Sequence, residues 1–121
     1  MIQSFYPKQN TQLPESNIIN YQLDSSLRDA LIQYGATIIT FEYNMGCNNC
    51  VDQKSTLEFF ANEYKQQIWL EEIMDDSLDA SEMTLSSVYG EDSLIDANET
   101  QIVNSLCNLM VAPPVACALT T

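Results

Sequence analysis

The middle of the chain carries two kinds of hydrophobic pattern, one on each side of a short polar turn. Residues 37–43, Thr-Ile-Ile-Thr-Phe-Glu-Tyr, are dense in β-branched and aromatic side chains, which favours a strand. After Cys50, apolar residues recur three and four positions apart, which predicts one apolar stripe on a long helix reaching about Ile73. The residues of this stripe are Leu57, Phe60, Ala61, Tyr64 and Ile68.

Phe59, Trp69 and Ile73 lie off the stripe of the predicted helix. A helix with apolar residues outside one stripe is either buried on two sides or offers aromatic surface to a partner. Trp69 is accordingly a candidate contact residue.

The segment before the turn permits two interpretations. Residues 24–34 form a helix if Ser25 is its N-cap and Gly35 lies just past its end. Apolar residues from Leu27 to Met45 also fall on a three-four spacing, which is typical of one long helix closed by Gly46. Gly35 and the β-branched residues favour the strand, because both are unfavourable inside a helix.

The predicted fold class is therefore α+β: a small, helix-rich single domain with a few short strands. The alternative is an all-α helical hairpin followed by a C-terminal helix. We expect an extended arm over residues 1–20, the domain over residues 21–112, and a tail over residues 113–121. The arm contains Pro7 and Pro14, and the tail is apolar and uncharged.

The C-terminal part of the domain is predicted to contain two more helices. Residues 77–89 form a weak helix that Gly90 ends. Asn98 or Thr100 caps a last helix, which is stopped by the prolines at 113 and 114.

The charge is strongly negative and one-sided. The 121 residues include 17 acids, four basic residues and no His, for a net charge of −13, and nothing basic follows Lys65. This balance excludes the usual electrostatic route to nucleic-acid phosphates or an anionic membrane surface. It allows a basic protein partner, a divalent cation, or mimicry of nucleic acid.

No apolar stretch approaches the roughly 18 residues of a membrane span, and the N-terminus does not read as a secretion signal. A cytoplasmic or virion location is expected. Persistent disulfides are not expected in the cytoplasm.

Cys47 and Cys50 form a Cys-x-x-Cys pair at a predicted helix start, with Asn48 or Asn49 as the cap. Helix N–H groups and the helix dipole favour a thiolate at such a position. Over residues 17–73, the order strand, helix, Gly, strand, Cys-x-x-Cys, helix resembles the front half of a thioredoxin-like domain. This resemblance implies a thiol–disulfide oxidoreductase that uses the two cysteines.

The sequence departs from that family in several respects. Asn48 and Asn49 stand between the cysteines, with neither Gly nor Pro, and no hairpin and closing helix follow Pro113 and Pro114. Gly46 stands where members have an aromatic residue, and Phe41 stands where they have a buried acid, with Glu42 one step away. The cis-proline expected about forty residues after the second cysteine of the pair has no counterpart, since the nearest later proline is Pro113.

The other two cysteines, Cys107 and Cys117, allow a second interpretation of the pair. Together with Cys47 and Cys50 they would supply the four thiolates of a structural zinc site. The favoured alternative is four small buried apolar side chains without a metal or other cofactor.

Three functions are compatible with these features. The favoured one is a non-catalytic assembly subunit, such as a small virion component, that contacts copies of itself or other subunits. Its expected contact residues are Phe5, Tyr6, Trp69, Val115 and Leu119. The alternatives are an acidic inhibitor or nucleic-acid mimic that binds a basic protein surface, and the thiol oxidoreductase.

Overall fold

The computed structural model describes residues 13–115 and 117. It contains three helices and a five-stranded mixed sheet, which confirms the α+β class and excludes the all-α alternative. The elements in chain order are β1 (Ile18–Ile19), α1 (Ser25–Gln33), β2 (Thr37–Tyr43), α2 (Cys50–Glu63), β3 (Ile68–Met74), β4 (Glu82–Ser87), β5 (Gly90–Ile95) and α3 (Glu99–Leu109).

The strands lie in the order β1-β3-β2-β4-β5. β1 and β2 both pair with β3 in parallel, and the β2–β3 register runs from Thr37 opposite Ile68 to Tyr43 opposite Met74. β4 pairs antiparallel with β2, and β5 returns beside β4 as a hairpin. The sheet is therefore parallel on one side of β2 and antiparallel on the other.

Both faces of the sheet are covered by helices. Ile38 packs with Leu27 of α1 and with Trp69 on one face. Ile39 packs on the other face with Leu57 of α2 and residues of α3. Because successive side chains of β2 point to opposite faces and both faces are buried, this strand is apolar along most of its length.

The strand over residues 37–43 and the helix before it agree with the sequence prediction. Asp24 rather than Ser25 is the N-cap of α1, and its side chain accepts a hydrogen bond from the Ser26 N–H at 3.1 Å. Gly35 follows the C-cap Tyr34 with a φ of +101°, the left-handed conformation that ends many helices.

The prediction that the long helix reaches Ile73 was wrong. α2 ends at Glu63, and residues 68–74 form β3 instead. Ile68 continues the three-four spacing only by coincidence, since its backbone pairs with β2. The ring of Trp69 is 8% exposed and lies in the cluster around α1, so this expected contact residue is part of the core.

The prediction of a helix over residues 77–89 was also wrong. Met83, Leu85 and Ser87 of β4 are buried, whereas the residues between them are half-buried, a period of two that is typical of a strand. Gly90 begins β5 with a φ of +139° at the hairpin turn.

The last helix was predicted correctly at its start. The Asn98 side chain accepts from the Gln101 N–H at 2.8 Å, and the Gln101 side chain accepts from the Asn98 N–H at 2.9 Å, which completes a capping box. The helix ends at Leu109, ahead of Pro113.

The domain begins before residue 21. Asn17 Nδ2 donates to the carbonyl of Ala61 at 2.8 Å and to that of Ile68 at 2.9 Å, and β1 adds an edge to the sheet. Residues 17–20 therefore belong to the folded unit rather than to an arm. The expected contact residues Phe5, Tyr6 and Leu119 lie outside the described residues. Within the described ranges, no helix has the length and apolar character needed to cross a membrane.

Candidate functional site

A disulfide joins Cys47 and Cys50 between the end of β2 and the start of α2, with their Cα atoms 5.4 Å apart. Cys50 is the first residue of α2 and is 1% exposed. Cys47 lies in the preceding turn and is half-buried. Cys47 is therefore the more exposed of the two cysteines.

The turn that carries Cys47 is held by the side chain of Asn44. Asn44 Oδ1 accepts from the Gly46 N–H at 2.9 Å, and its carbonyl accepts from the Cys47 N–H at 3.0 Å. Asn44 Nδ2 donates at 3.1 Å to the carbonyl of Leu78, in the loop between β3 and β4. The cysteine pair consequently sits on a turn fixed to a second loop of the domain.

The first turn of α2 lies directly behind the outer cysteine. Asn49 is the N-cap residue, as predicted for Asn48 or Asn49, but its side chain does not cap the helix. Instead, Asn49 Nδ2 donates to Asp96 Oδ1 at 3.0 Å. The backbone N–H groups at this helix end favour negative charge, such as the thiolate that forms when the disulfide opens.

Three ionisable side chains meet close to Cys50. Lys54 Nζ lies 2.9 Å from Glu58 Oε2 on α2 and 4.0 Å from Glu72 Oε1 on β3. Lys54, Glu58 and Cys50 line one cavity of about 220 Å³. The inner cysteine and the carboxyl group of Glu58 therefore border the same cavity, and Lys54 joins them to Glu72 on β3.

The carboxyl groups of Glu58 and Glu72 have pKa values shifted in opposite directions. The pKa of Glu72 is raised to about 8, first by burial and then by the hydrogen bond to Glu58 and the charge of Glu58. The same hydrogen bond holds the pKa of Glu58 below its ordinary value. Glu72 is therefore largely protonated at neutral pH, and Glu58 is the ionised partner of Lys54.

Exposed apolar side chains flank the disulfide. Met45 is 61% exposed and Val51 is 62% exposed, and both line the cavity that contains Cys50. An apolar rim around a reactive group is suited to contact with another protein or a peptide.

The structure does not gather the four cysteines into one site. Cys107 and Cys117 form a second disulfide, with their Cα atoms 5.6 Å apart, which links α3 to the chain beyond Pro114. The two disulfides correct the expectation that this chain has no persistent disulfides. Over residues 13–115 and 117, no group of three or more His, Cys, Asp or Glu side chains could hold a metal ion.

Sequence reasoning missed the carboxyl pair next to the cysteines. It noted that the family's buried acid falls on Phe41, but the sheet register places Glu72 directly opposite Phe41 on the neighbouring strand. Paired residues of neighbouring strands share a face, so the acid reaches the same side of the sheet from β3. The only sequence signal was the spacing of Lys54 and Glu58, four residues apart on one helix.

No protein-family model matches this chain, and no curated protein matches it either.

Proposed function

We propose that this protein is a thiol–disulfide oxidoreductase of thioredoxin-like design, in which Cys47 and Cys50 exchange a disulfide with a protein substrate. The observation that carries the proposal is the disulfide at the start of α2, with a half-buried outer and a fully buried inner cysteine. After β3 the chain continues with the β4–β5 hairpin and α3, an order that supports the proposal. The residue just before the β4–β5 hairpin is Ser81 and not a proline. No cis peptide bond occurs in the described part of the chain.

The reaction of the disulfide form with a dithiol takes two exchange steps. A substrate thiolate attacks Sγ of Cys47, forms a mixed disulfide and releases Cys50 as a thiolate. The second substrate thiolate attacks the substrate sulfur of that mixed disulfide and releases Cys47. The substrate loses two electrons and two protons to form its own disulfide, and the two cysteines become thiols.

The thiolate of Cys50 needs a proton in a place that is closed to water. Glu72 holds a proton at neutral pH, and Glu58 connects it to the cavity that Cys50 lines. Transfer from Glu72 through Glu58 to Sγ of Cys50 supplies the proton when the disulfide opens, and the reverse transfer removes it. Cys47 needs no such partner, because it is only half-buried and lies beside the start of α2.

The experiment is oxidation of a reduced two-cysteine peptide by the purified disulfide form, followed by mass spectrometry. We expect the wild-type protein to form the peptide disulfide and both Cys47→Ser and Cys50→Ser to lose this activity. Cys50→Ser incubated with the oxidised peptide should accumulate a mixed disulfide on Cys47. The matched control Cys107→Ser/Cys117→Ser should react like the wild type. Equal, negligible exchange by the wild type and the single variants would exclude the proposal.

A second candidate function is the assembly subunit, and exposed apolar side chains favour it. Phe59 on α2 is 60% exposed and Val115, an expected contact residue, is 80% exposed. A second copy of the chain covering these side chains would remove them from water. Size-exclusion chromatography with light scattering tests this: self-association that Phe59→Ser weakens would support it, and a strict monomer over a wide concentration range would argue against it.

A further inference from the structure

A second cavity lies between the start of α2 and the segment that leads into α3. Its volume is about 430 Å³, and its walls include Asn49, the residue just before Cys50. Gln53 and Ala97 form part of its floor. The cavity is therefore next to the disulfide but separate from the cavity that contains Lys54 and Glu58.

Gln53 presents a buried acceptor without a partner at this cavity. The residue is 3% exposed, and its Nε2 donates to the carbonyl of Ala97 at 2.7 Å, which fixes the orientation of the amide. Its Oε1 is buried and has no hydrogen-bond partner among the described residues. An unsatisfied buried carbonyl oxygen is unfavourable, so this position is suited to an N–H donor from a ligand.

The charge around the cavity is negative. Asp52, Asp96 and Glu99 line it, and none of them forms an ion pair within residues 13–115 and 117. The N-termini of α2 and α3 contribute roughly half a positive charge each, which offsets about one of the three carboxylates. The remaining field favours a cation.

The chain does not supply that cation from its described basic residues. Arg28 and Lys54 are engaged in ion pairs with Glu71 and Glu58. Lys65 follows the end of α2, and the cavity lies at the start of this 14-residue helix, roughly 20 Å away. A small metal ion does not fit either, because the described acids do not converge on one point.

We infer that this cavity binds the guanidinium of an arginine side chain on the partner protein. A guanidinium has several N–H donors in one plane, so it can donate to Gln53 Oε1 and to carboxylates such as Asp52 at the same time. The position of this arginine in the substrate's sequence rests on the proposed function, in which a substrate cysteine attacks Cys47. Because Asn49 lies between the cysteines, the arginine belongs within a few residues of the substrate cysteine that attacks Cys47.

The experiment uses three synthetic peptides that differ at one or two positions. The first has two cysteines and a neighbouring arginine, the second has citrulline in place of arginine, and the third keeps arginine but has serines for cysteines. Exchange rates are measured with the first two peptides. Binding of the third is followed through the NMR signals of the Gln53 side-chain amide, a readout that does not depend on thiol chemistry.

We expect the arginine peptide to be oxidised about tenfold faster than the citrulline peptide, as a pair of charge-assisted hydrogen bonds would provide. Asp52→Asn/Asp96→Asn should remove most of this preference and weaken the Gln53 response. The control Asp76→Asn/Asp79→Asn makes the same change of charge at exposed positions outside the cavity. It should keep both the preference for the arginine peptide and the NMR response of Gln53. Thermal unfolding of each variant checks that it is folded.

The outcomes separate the cavity from the thiol chemistry. Equal rates for the arginine and citrulline peptides, without a Gln53 response, would overturn the arginine site while leaving the oxidoreductase proposal intact. A Gln53 response that the cavity variant loses, with no exchange of either cysteine peptide, would support the site and overturn the oxidoreductase proposal. If the cavity and control variants lost the preference for the arginine peptide equally, the peptide would be attracted by the acidic protein in general. This result would overturn the proposed arginine site.

Discussion

The guanidinium of Arg28 lies 2.8 Å from the carboxylate of Glu71, a side chain with no exposed surface at the centre of β3. The same carboxylate accepts from the Thr40 hydroxyl at 2.6 Å and from the Leu23 N–H at 2.7 Å. These bonds link the start of α1 to two strands, on the face of the sheet that Trp69 shares. The ion pair is thus a structural feature of the face away from Glu72 and the cysteine cavity.

Arg28→Ala should destabilise the protein by about 3–5 kcal/mol, because it leaves the Glu71 charge buried without a counter-ion. Lys54→Ala is the comparison, since the pair between Lys54 and Glu58 is partly exposed and should be worth about 0–1 kcal/mol. Urea denaturation followed by circular dichroism measures both. A loss below about 1 kcal/mol for Arg28→Ala would contradict the assignment.

Stability should fall as the pH rises through the titration of Glu72. Its pKa is about 8 in the folded protein and near its ordinary value of 4.5 when unfolded, so between these values the folded state holds a proton that the unfolded state has lost. The stabilisation is full below pH 4.5 and disappears as the pH rises through about 8. Glu58 has a lowered pKa, so its contribution to the pH dependence of stability falls below pH 4.5 and outside this window.

Urea midpoints between pH 5 and pH 9 test this dependence. Allowing for solvent screening at a half-buried carboxyl, the wild type should lose roughly 1–2 kcal/mol more than Glu72→Gln over this range. Glu63→Gln, at an exposed position of the same charge type, should behave like the wild type. If the stability of the wild type and of Glu72→Gln changed equally with pH, Glu72 would not be the group responsible for the pH dependence.

Gly35→Ala should destabilise the protein by about 1–2 kcal/mol, because residue 35 has a φ of +101°. A Cβ at this position meets Val111 at 3.8 Å, an ordinary contact, so the cost comes from the backbone rather than from a clash. Gly46→Ala is the matched control, since Gly46 lacks a left-handed φ and its Cβ would approach only Asn44 Oδ1, at 3.7 Å. Thermal unfolding should place Gly46→Ala within about 1 kcal/mol of the wild type.

The second disulfide should contribute to stability and not to exchange. Its cysteines are 10 residues apart, so Cys107→Ser/Cys117→Ser should lose roughly 2–3 kcal/mol through the greater freedom of the unfolded chain. Chemical denaturation measures this loss, and the peptide oxidation assay should give the wild-type rate. A slower rate in a variant that is still folded would place Cys107 or Cys117 in the reaction.

Features set by a few neighbouring residues could be predicted from the sequence. The strand at 37–43, the end of α1 at Gly35 and the capping box at Asn98 were all recognisable. Each depends on backbone propensity or on hydrogen bonds within one turn. The Cys-x-x-Cys pair at a helix start belongs to the same class of feature.

Other features depended on which strands pair and in what register. Residues 68–74 were predicted to be helical and form β3. Their apolar run is equally compatible with a buried strand and a buried helix, and only pairing with β2 distinguishes the two. Trp69 looked like a contact residue until that pairing turned it toward α1. For the same reason Glu72 could not be placed near Cys50 without the register that sets it opposite Phe41.

The residues alone therefore determined the α+β class, the cysteine turn and the acidic character of the chain. The tertiary structure decided the pairing of the four cysteines, the meeting of Lys54 with the carboxyl groups of Glu58 and Glu72, and the acidic cavity with its unpartnered Gln53 oxygen. The physical reason is the separation in sequence over which each interaction acts. Caps and propensities act within a turn of the backbone, whereas these sites join groups that are distant in sequence and meet only after the sheet has formed.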